Sequence, residues 1–552
     1  MGRTVRLLRR LREIKSKKIR KLKYNHMTTS KQFFRWTLVA MLAVSVPAAN
    51  LLAQAKLSID KVYTAYLRNS GTIMAKGQIK GYFFLYMSDK IDRHTDEYTL
   101  QILDENLNKV QNIKFEDSKK LSLLESAYNG NSISFLFKNE DTKTLDMKIY
   151  DFSGKLMYTY SRGFDKKTDD LMKQYLTLHT DEGMNKNVFD IGDQGYVSVL
   201  PMRDGKQRTY EVDFYASDSR KQWTYVPNDD AEKYAMAEYL GCTDSLIILE
   251  VLKKNKTMGT DFSSHLVGIN FVTKKKQFEI DGTNDQYNIV PASIVPMDGG
   301  RLMLMASYYD KDQNIVKDFS RGLAIYEIST AGKVLTKTYN TWPGDMARFL
   351  PTNSKGKIDD IGYLYIHKLI RTPDNRLFVV GEGYKRQANA AGIAMNALAI
   401  MGGGSTNAGV TKIVITDLVM MEFNSDYKVT NATIYDKTKN TAIATNMSDY
   451  NSQHLLAELL KAIGAFDYAF TTGEADNSNF AVCYSDYERS SEYHGQTFNA
   501  IRYNGKKFTT DKIELKSKAS MMHIFPAKGG SIMIMEYFRK DKRLDFRLEK
   551  LG

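Results

Sequence analysis

Cysteine is nearly absent from this 552-residue chain, which has only Cys242 and Cys483. No Cys-x-x-Cys pair and no Cys/His ligand spacing occurs, which speaks against a structural zinc site. The histidines past residue 55, namely His94, His179, His265, His367, His454, His494 and His523, are scattered, without a His-x-x-x-His or His-Glu-x-x-His pair, so no metal is predicted. There is no Gly-x-Ser-x-Gly elbow and no Gly-x-x-x-x-Gly-Lys-Ser/Thr loop. Serine hydrolases and nucleotide hydrolases that announce themselves by those motifs are thereby excluded, and no cofactor is implied. The chain also lacks a long apolar run: its most apolar early segment, between Thr37 and Val46, falls short of the ~20 residues a membrane-spanning helix needs.

The formal charge of +14 invites a nucleic-acid reading until its position is considered. Residues 1–36 hold thirteen Lys and Arg against the single acid Glu13, so this segment carries +12 and everything after Trp36 only +2. A near-neutral remainder lacks the basic patch of a nucleic-acid binder, and no nucleic acid is expected. Basic run, short apolar core, Pro47 and the small residues around Ala53 and Ala55 together form the pattern of a secretory signal peptide, with cleavage after either alanine. Met27 opens an ordinary signal sequence as well as Met1 does, which marks residues 1–26 as an upstream extension. The expected organisation is a basic extension and signal peptide over 1–55 and one exported domain over 56–552, periplasmic or extracellular. Export permits a disulfide, but a chain of this length does not require one, and a Cys242–Cys483 bridge and two separate buried thiols are both open.

What the chain does have is a repeat. Asp298-Gly299-Gly300-Arg301-Leu-Met-Leu-Met305 returns as Lys528-Gly529-Gly530-Ser531-Ile-Met-Ile-Met535, and weaker copies recur. Runs starting near Gly81, Asn131, Gly195, Ser245, Arg301, Arg376, Asn479 and Ser531 are almost continuously apolar and bounded by turn residues, as buried strands are. Most are followed by an alternating strand, a polar turn and a return strand, with the turn at Gly154-Lys155, Gly332-Lys333 or Gly505-Lys506, or without glycine near Asn108 and Asp426. A buried strand pair followed by a half-exposed hairpin makes a four-stranded antiparallel blade. Eight buried strands predict seven or eight blades in an all-β propeller with short helical insertions. The chain ends soon after Leu544–Leu548, which leaves the last blade short, and Leu57–Tyr63 is the segment expected to complete it.

In this pattern the chain resembles secreted β-propeller proteins, of the diverged kind found among exported Gram-negative proteins of unknown function. The resemblance covers residues 56–552 and rests on the strand pattern, since no Trp-Asp, kelch or Asp-box signature is present. It implies a binding or assembly module for a protein or glycan of the cell envelope. The alternative is a propeller-type hydrolase of glycan or peptide, with carboxylates or histidines converging at a channel mouth.

Two insertions break the strand pattern, near 389–404 and 452–464. The first, Asn389 to Met401 followed by Gly402–Gly404, is apolar and uncharged, so it either folds back to plug the channel or cover a face, or exposes Ile393, Met395, Leu398, Ile400 and Met401 as candidates for partner binding or for contact with a membrane surface. The second, Ser452 to Ile463 with Gly464 as its cap, places Leu455, Leu456, Leu459, Leu460 and Ile463 on one face. A further helix is expected over Asp169–Leu178. The pairs Asp229–Asp230 and Asp359–Asp360 are read as surface turns, and the Met303, Met305, Met533 and Met535 side chains as core filling.

Overall fold

The computed structural model describes residues 55–551, except 76–77, 177–185, 206, 228–233, 255–260, 285, 402–404 and 446–451. The basic extension, the segment up to Gln54, Asp229–Asp230, His179 and Gly402–Gly404 lie outside the described residues, and Ala55 is the first of them.

Among the described residues the strands fall into eight antiparallel units, six of four strands and two, the first and the sixth, of five; the third and fourth are joined by a single parallel bridge between Arg208 and Tyr234. Each unit is an open sheet, here called a blade. The second strands of blades 1 to 8 are Gln78–Lys90, Ile133–Asn139, Gly195–Asp204, Leu246–Lys254, Arg301–Asp310, Leu377–Ala388, Phe480–Arg489 and Ser531–Phe538. They read as apolar runs because both faces are covered: Ile247 and Leu249 pack on blade 3, while Leu246 and Ile248 pack on blade 5. Outer strands are wet on one side, and Lys109–Ser118 alternates exposed and half-buried residues along its length.

The glycine turns are equivalent in conformation as well as in sequence. Gly299 and Gly300 have φ of 73° and 67°, Gly529 and Gly530 of 62° and 70°, the doubly left-handed turn that splices two twisted antiparallel strands. At the hairpins without glycine, Leu107 and Tyr427 take the left-handed conformation instead, at φ of 67° and 58°. That conformation costs ~1–2 kcal/mol in a residue with a Cβ. Burial of both side chains offsets the cost, and the Tyr427 hydroxyl also donates to Glu327 Oε1 of blade 5 at 2.6 Å.

The last blade is completed by the first strand of the domain. Lys56–Asp60 pairs antiparallel with Arg543–Lys550, from Lys56 opposite Arg547 to Asp60 opposite Arg543. Blade 8 then meets blade 1 through the Phe84 and Phe546 rings, 4.5 Å apart, and through the Tyr537 hydroxyl, which donates to the Tyr63 carbonyl at 2.8 Å.

Among the described residues three α-helices interrupt the blades: α1 (Lys166–Leu176), α2 (Ala390–Met401) and α3 (Gln453–Ala462). Helix α1 starts three residues before the predicted Asp169, because the Asp165 carboxylate accepts the Thr168 N–H at 2.7 Å and so sets the start. Helix α3 is bounded by Ser452, whose hydroxyl accepts the Leu455 N–H, and by Gly464 at φ 65°. The Gly464 N–H reaches the Lys461 carbonyl and the Ala465 N–H the Leu460 carbonyl, the bond pair that ends a helix on a left-handed glycine. The four core methionines are fully buried, and both cysteines are free thiols.

Candidate functional site: a central cavity and a projecting helix

The innermost strands of five blades carry a one-residue bulge at the same place. The extra residue is Leu124, Leu240, Ala292, His367 and Ala469 in blades 2, 4, 5, 6 and 7. A bulge re-aims the side chain it carries. Four of these side chains are apolar, and the fifth is a histidine.

The His367 side chain is wholly buried, its Nε2 lying 3.0 Å from Glu382 Oε2. Glu382 also accepts the Asp467 and Tyr468 N–H groups of blade 7 at 3.0 and 3.1 Å, and Lys437 Nζ approaches its other oxygen at 3.1 Å. Lys437 bonds Asp467 as well, at 2.5 Å. The His367 ring stacks on Tyr468 at 4.5 Å and meets Tyr365 and Phe466 edge-on. Burial alone would raise the Glu382 carboxyl; the His367 and Lys437 partners outweigh it and hold the group below the usual carboxylate range. Lys437 thus bridges the Glu382 and Asp467 carboxylates, and the cluster ties blade 6 to blade 7.

A different cluster is open. The innermost strands of blades 4, 5 and 6 and helix α3 surround a cavity of about 140 Å³. Glu250 enters it from the second strand of blade 4, only 9% exposed, and its one hydrogen-bond partner among the described contacts is the Ser264 hydroxyl at 3.2 Å. Glu458 and Lys461 enter from α3, which is held in place by Leu456 and Leu460 packed against Tyr384, Ile413 and Ile415 and by the Tyr384 hydroxyl donating to the Gln453 carbonyl at 3.0 Å. Lys461 reaches across to Glu238 of blade 4 and pairs with it. Tyr309, Tyr365 and Tyr384 complete the wall, and Asp318, Phe319 and Lys355 stand at its more exposed end.

Burial pushes Glu250 up to about 8. It pushes Glu458 up to about 7, to which the Glu250 charge adds. The Lys461 ammonium is brought down to about 8 by the same desolvation. All three tyrosine hydroxyls are raised, chiefly by burial, and stay protonated at neutral pH. Two carboxyl groups that are easily protonated thus share an aromatic-walled space. Neither was singled out by motif, although a Glu inside the apolar run Leu246–Val251 is a signal in itself, since glutamate is rarely buried without a partner.

The second feature is α2. Gly392 packs so closely on the Gly409 carbonyl that a Cβ there would lie 1.9 Å from it, and Asn389 and Asn396 donate to the Gly409 and Ala408 carbonyls at 2.9 and 2.6 Å. The base of the helix is therefore fixed to strand Ala408–Phe423. Asn396 and Ala399 stay half-buried on that side, while the large apolar side chains of the other faces are exposed: Ile393 49%, Met395 53%, Leu398 68%, Ile400 75% and Met401 84%. Among these large apolar side chains exposure rises toward the C-terminal end of the helix. Lys385, Arg386 and Lys412 lie on the hairpin rungs below it. Asp359 is an exposed turn residue and His94 an exposed loop residue.

The chain matches the model of a family of unknown function, DUF6770, over residues 34–552. It belongs to that family. Solved structures similar to it include prolyl endopeptidases (8% identity, 86% of this chain and 55% of that chain, TM-score 0.38). They also include prolyl oligopeptidase B from Galerina marginata with a 25mer macrocyclization substrate (7%, 87% and 56%, TM-score 0.38) and a post-proline cleaving enzyme from Rickettsia typhi (9%, 85% and 58%, TM-score 0.37). The chain spans little more than half the length of each of these proteins. No curated protein matches it.

Proposed function

We propose that this DUF6770 protein is an exported binding module of the cell envelope that holds itself to a membrane surface by helix α2. The observation that carries this reading is the rise in exposure from Ile393 to Met401 on a helix without a single charge. A helix meant for a protein groove usually keeps one polar face. Helix α2 is apolar nearly all round, which suits immersion in acyl chains. Its twelve residues extend ~18 Å, about one leaflet of a hydrocarbon core of ~30 Å. Positive charge near its base, on the rungs of Lys385, Arg386 and Lys412, would favour an anionic surface.

Sedimentation with phosphatidylglycerol-containing vesicles tests it. Wild-type protein is expected to pellet with the vesicles, and Leu398→Asp/Ile400→Asp to lose at least tenfold in partition with an unchanged melting temperature. Wild-type protein that stays in the supernatant, or a variant that pellets equally, overturns the reading; capture of an envelope protein in place of vesicles would return α2 to protein docking. Export predicts a mature N terminus near Gln54 or Lys56, read by N-terminal sequencing, and an intact Met1 terminus in the cytoplasm overturns it.

A second reading, hydrolysis of glycan or peptide, is favoured by one observation, the neighbouring carboxyl groups of Glu250 and Glu458. It requires turnover of an aryl glycoside or peptide substrate that Glu250→Gln abolishes.

A further inference from the structure

The position of Glu250 has a counterpart that explains what it lacks. In blade 4 the residue past the bulge, Gly241, pairs with Ile248, and in blade 6 Lys368 pairs with Val380. Glu250 and Glu382 each lie two residues beyond that pair. Glu382 receives a histidine, a lysine and two backbone N–H groups. At the same rung of blade 4, Glu250 receives one hydroxyl, lies directly opposite Glu238, and is approached by Glu458. Like charges opposite one another on a sheet are unfavourable; of the two lysines that line the cavity, Lys461 is taken up by Glu238, and Lys355 stands over Phe319 at the exposed end. The blade 4 site is thus short of one positive charge that the blade 6 site has.

We infer that the central cavity binds a small organic ammonium ion, its charge held by Glu250 and Glu458 and its carbon substituents resting on Tyr309, Tyr365 and Tyr384. Aromatic faces attract cations most strongly where water is excluded. The end of the cavity already displays this contact within the chain, where the Lys355 ammonium stands 5.3 Å over the Phe319 ring, itself stacked on Tyr363 at 5.4 Å. Asp318 beside it is exposed. A volume near 140 Å³ suits an alkyl or quaternary ammonium and is too small for a chain of sugars.

Because both carboxyl groups retain protons near neutrality, an arriving cation displaces them, and affinity rises with pH. The other charged groups lining the cavity are Glu238 and Lys461, which pair with one another, and Asp318 and Lys355 at its exposed end, whose opposite charges offset each other. The inference does not depend on helix α2 and is tested without lipid.

Titration calorimetry with tetramethylammonium and with 1,5-diaminopentane, against glucose and acetate, is the experiment. Saturable binding is expected for at least one ammonium probe and for neither control, tighter at pH 8 than at pH 6 and with proton release visible as a dependence on buffer. Glu250→Gln and Glu458→Gln should each weaken it at least tenfold, whereas Glu488→Gln, near the end of the second strand of blade 7 and absent from the cavity wall, should not change it. Should Glu250→Gln fail to fold, Glu458→Gln on α3 still decides. Absence of saturable binding to both ammonium probes, or binding indifferent to the cavity variants, overturns the inference.

Discussion

Glu250 and Glu382 occupy the same rung of blades 4 and 6, yet only Glu382 is surrounded by partners. Glu382→Gln would leave Lys437 and His367 buried beside a neutral amide. Removing one member of a buried ion pair costs ~3–5 kcal/mol. Glu250→Gln removes a carboxyl group that burial disfavours and is expected to cost less than ~1 kcal/mol, or to stabilise at pH 8. Denaturant unfolding of the two variants side by side checks the contrast, and equal losses would refute the equivalence drawn between the two positions.

The pH dependence of stability follows from the same cavity. Glu250 and Glu458, raised to about 8 and about 7, keep protons in the folded chain that the unfolded chain has released above the ordinary glutamate range. Asp467 and Glu211, raised to about 6 and about 7, act in the same direction. The folded state therefore binds more protons between pH ~4.5 and ~8, and stability falls as pH rises through that window. Thermal melts should drop by a few °C from pH 6 to pH 8, and the Glu250→Gln/Glu458→Gln double variant should flatten that slope. A wild-type melting temperature that climbs over this interval would contradict the assignment.

Blade number was legible in the sequence because second strands covered on both faces leave uninterrupted apolar runs, and the Gly299–Gly300 and Gly529–Gly530 turns fix where they begin. Closure by Lys56–Asp60 was legible as a missing strand. The cavity was not. Glu250 stands in a run whose other members are core, and its meaning depends on Glu458, over two hundred residues away, arriving on a helix whose apolar face alone carries a periodic signal. His367 is similar: only the bulge, invisible to a period-two pattern, turns it toward Glu382.

The closing strand gives a prediction that separates a ring from a chain of independent sheets. Ile59 is buried opposite Leu544. Ile59→Asp places a charge there without a partner and should cost ~2–4 kcal/mol, with blades 8 and 1 becoming susceptible to protease together. Phe546→Ala, which removes the ring contact with Phe84, should cost ~3–5 kcal/mol with the same pattern of cleavage. Cleavage that starts elsewhere would show that the strand adds little to the junction.

The thiols yield a chemical test of the core. Burial pushes Cys483 up to about 12, and Cys242 is raised by burial against the opposing bond to Tyr239. The thiolate is the reactive form, so both should resist iodoacetamide in the native state at pH 8 and react after unfolding. Free thiols also predict identical migration with and without reductant. A native-state adduct at Cys483 would mean that the blade 7 core opens far more readily than its packing implies.

Gly464 joins the fold to the cavity. It ends α3 in the left-handed conformation at φ 65°, and the two bonds from Gly464 and Ala465 set where the helix stops. Gly464→Ala keeps every other atom and forces a Cβ into that conformation, at ~1–2 kcal/mol. In a domain this large the melting temperature should move by only a few °C, because the loss is local. The helix end should loosen all the same, and Glu458 and Lys461 lie within two turns of it. Affinity for an ammonium probe should therefore fall several-fold at a temperature where the fold is intact, and Gly505→Ala, at a comparable left-handed turn of blade 7, should leave that affinity unchanged. If both variants behave alike, α3 does not position the cavity carboxyl groups.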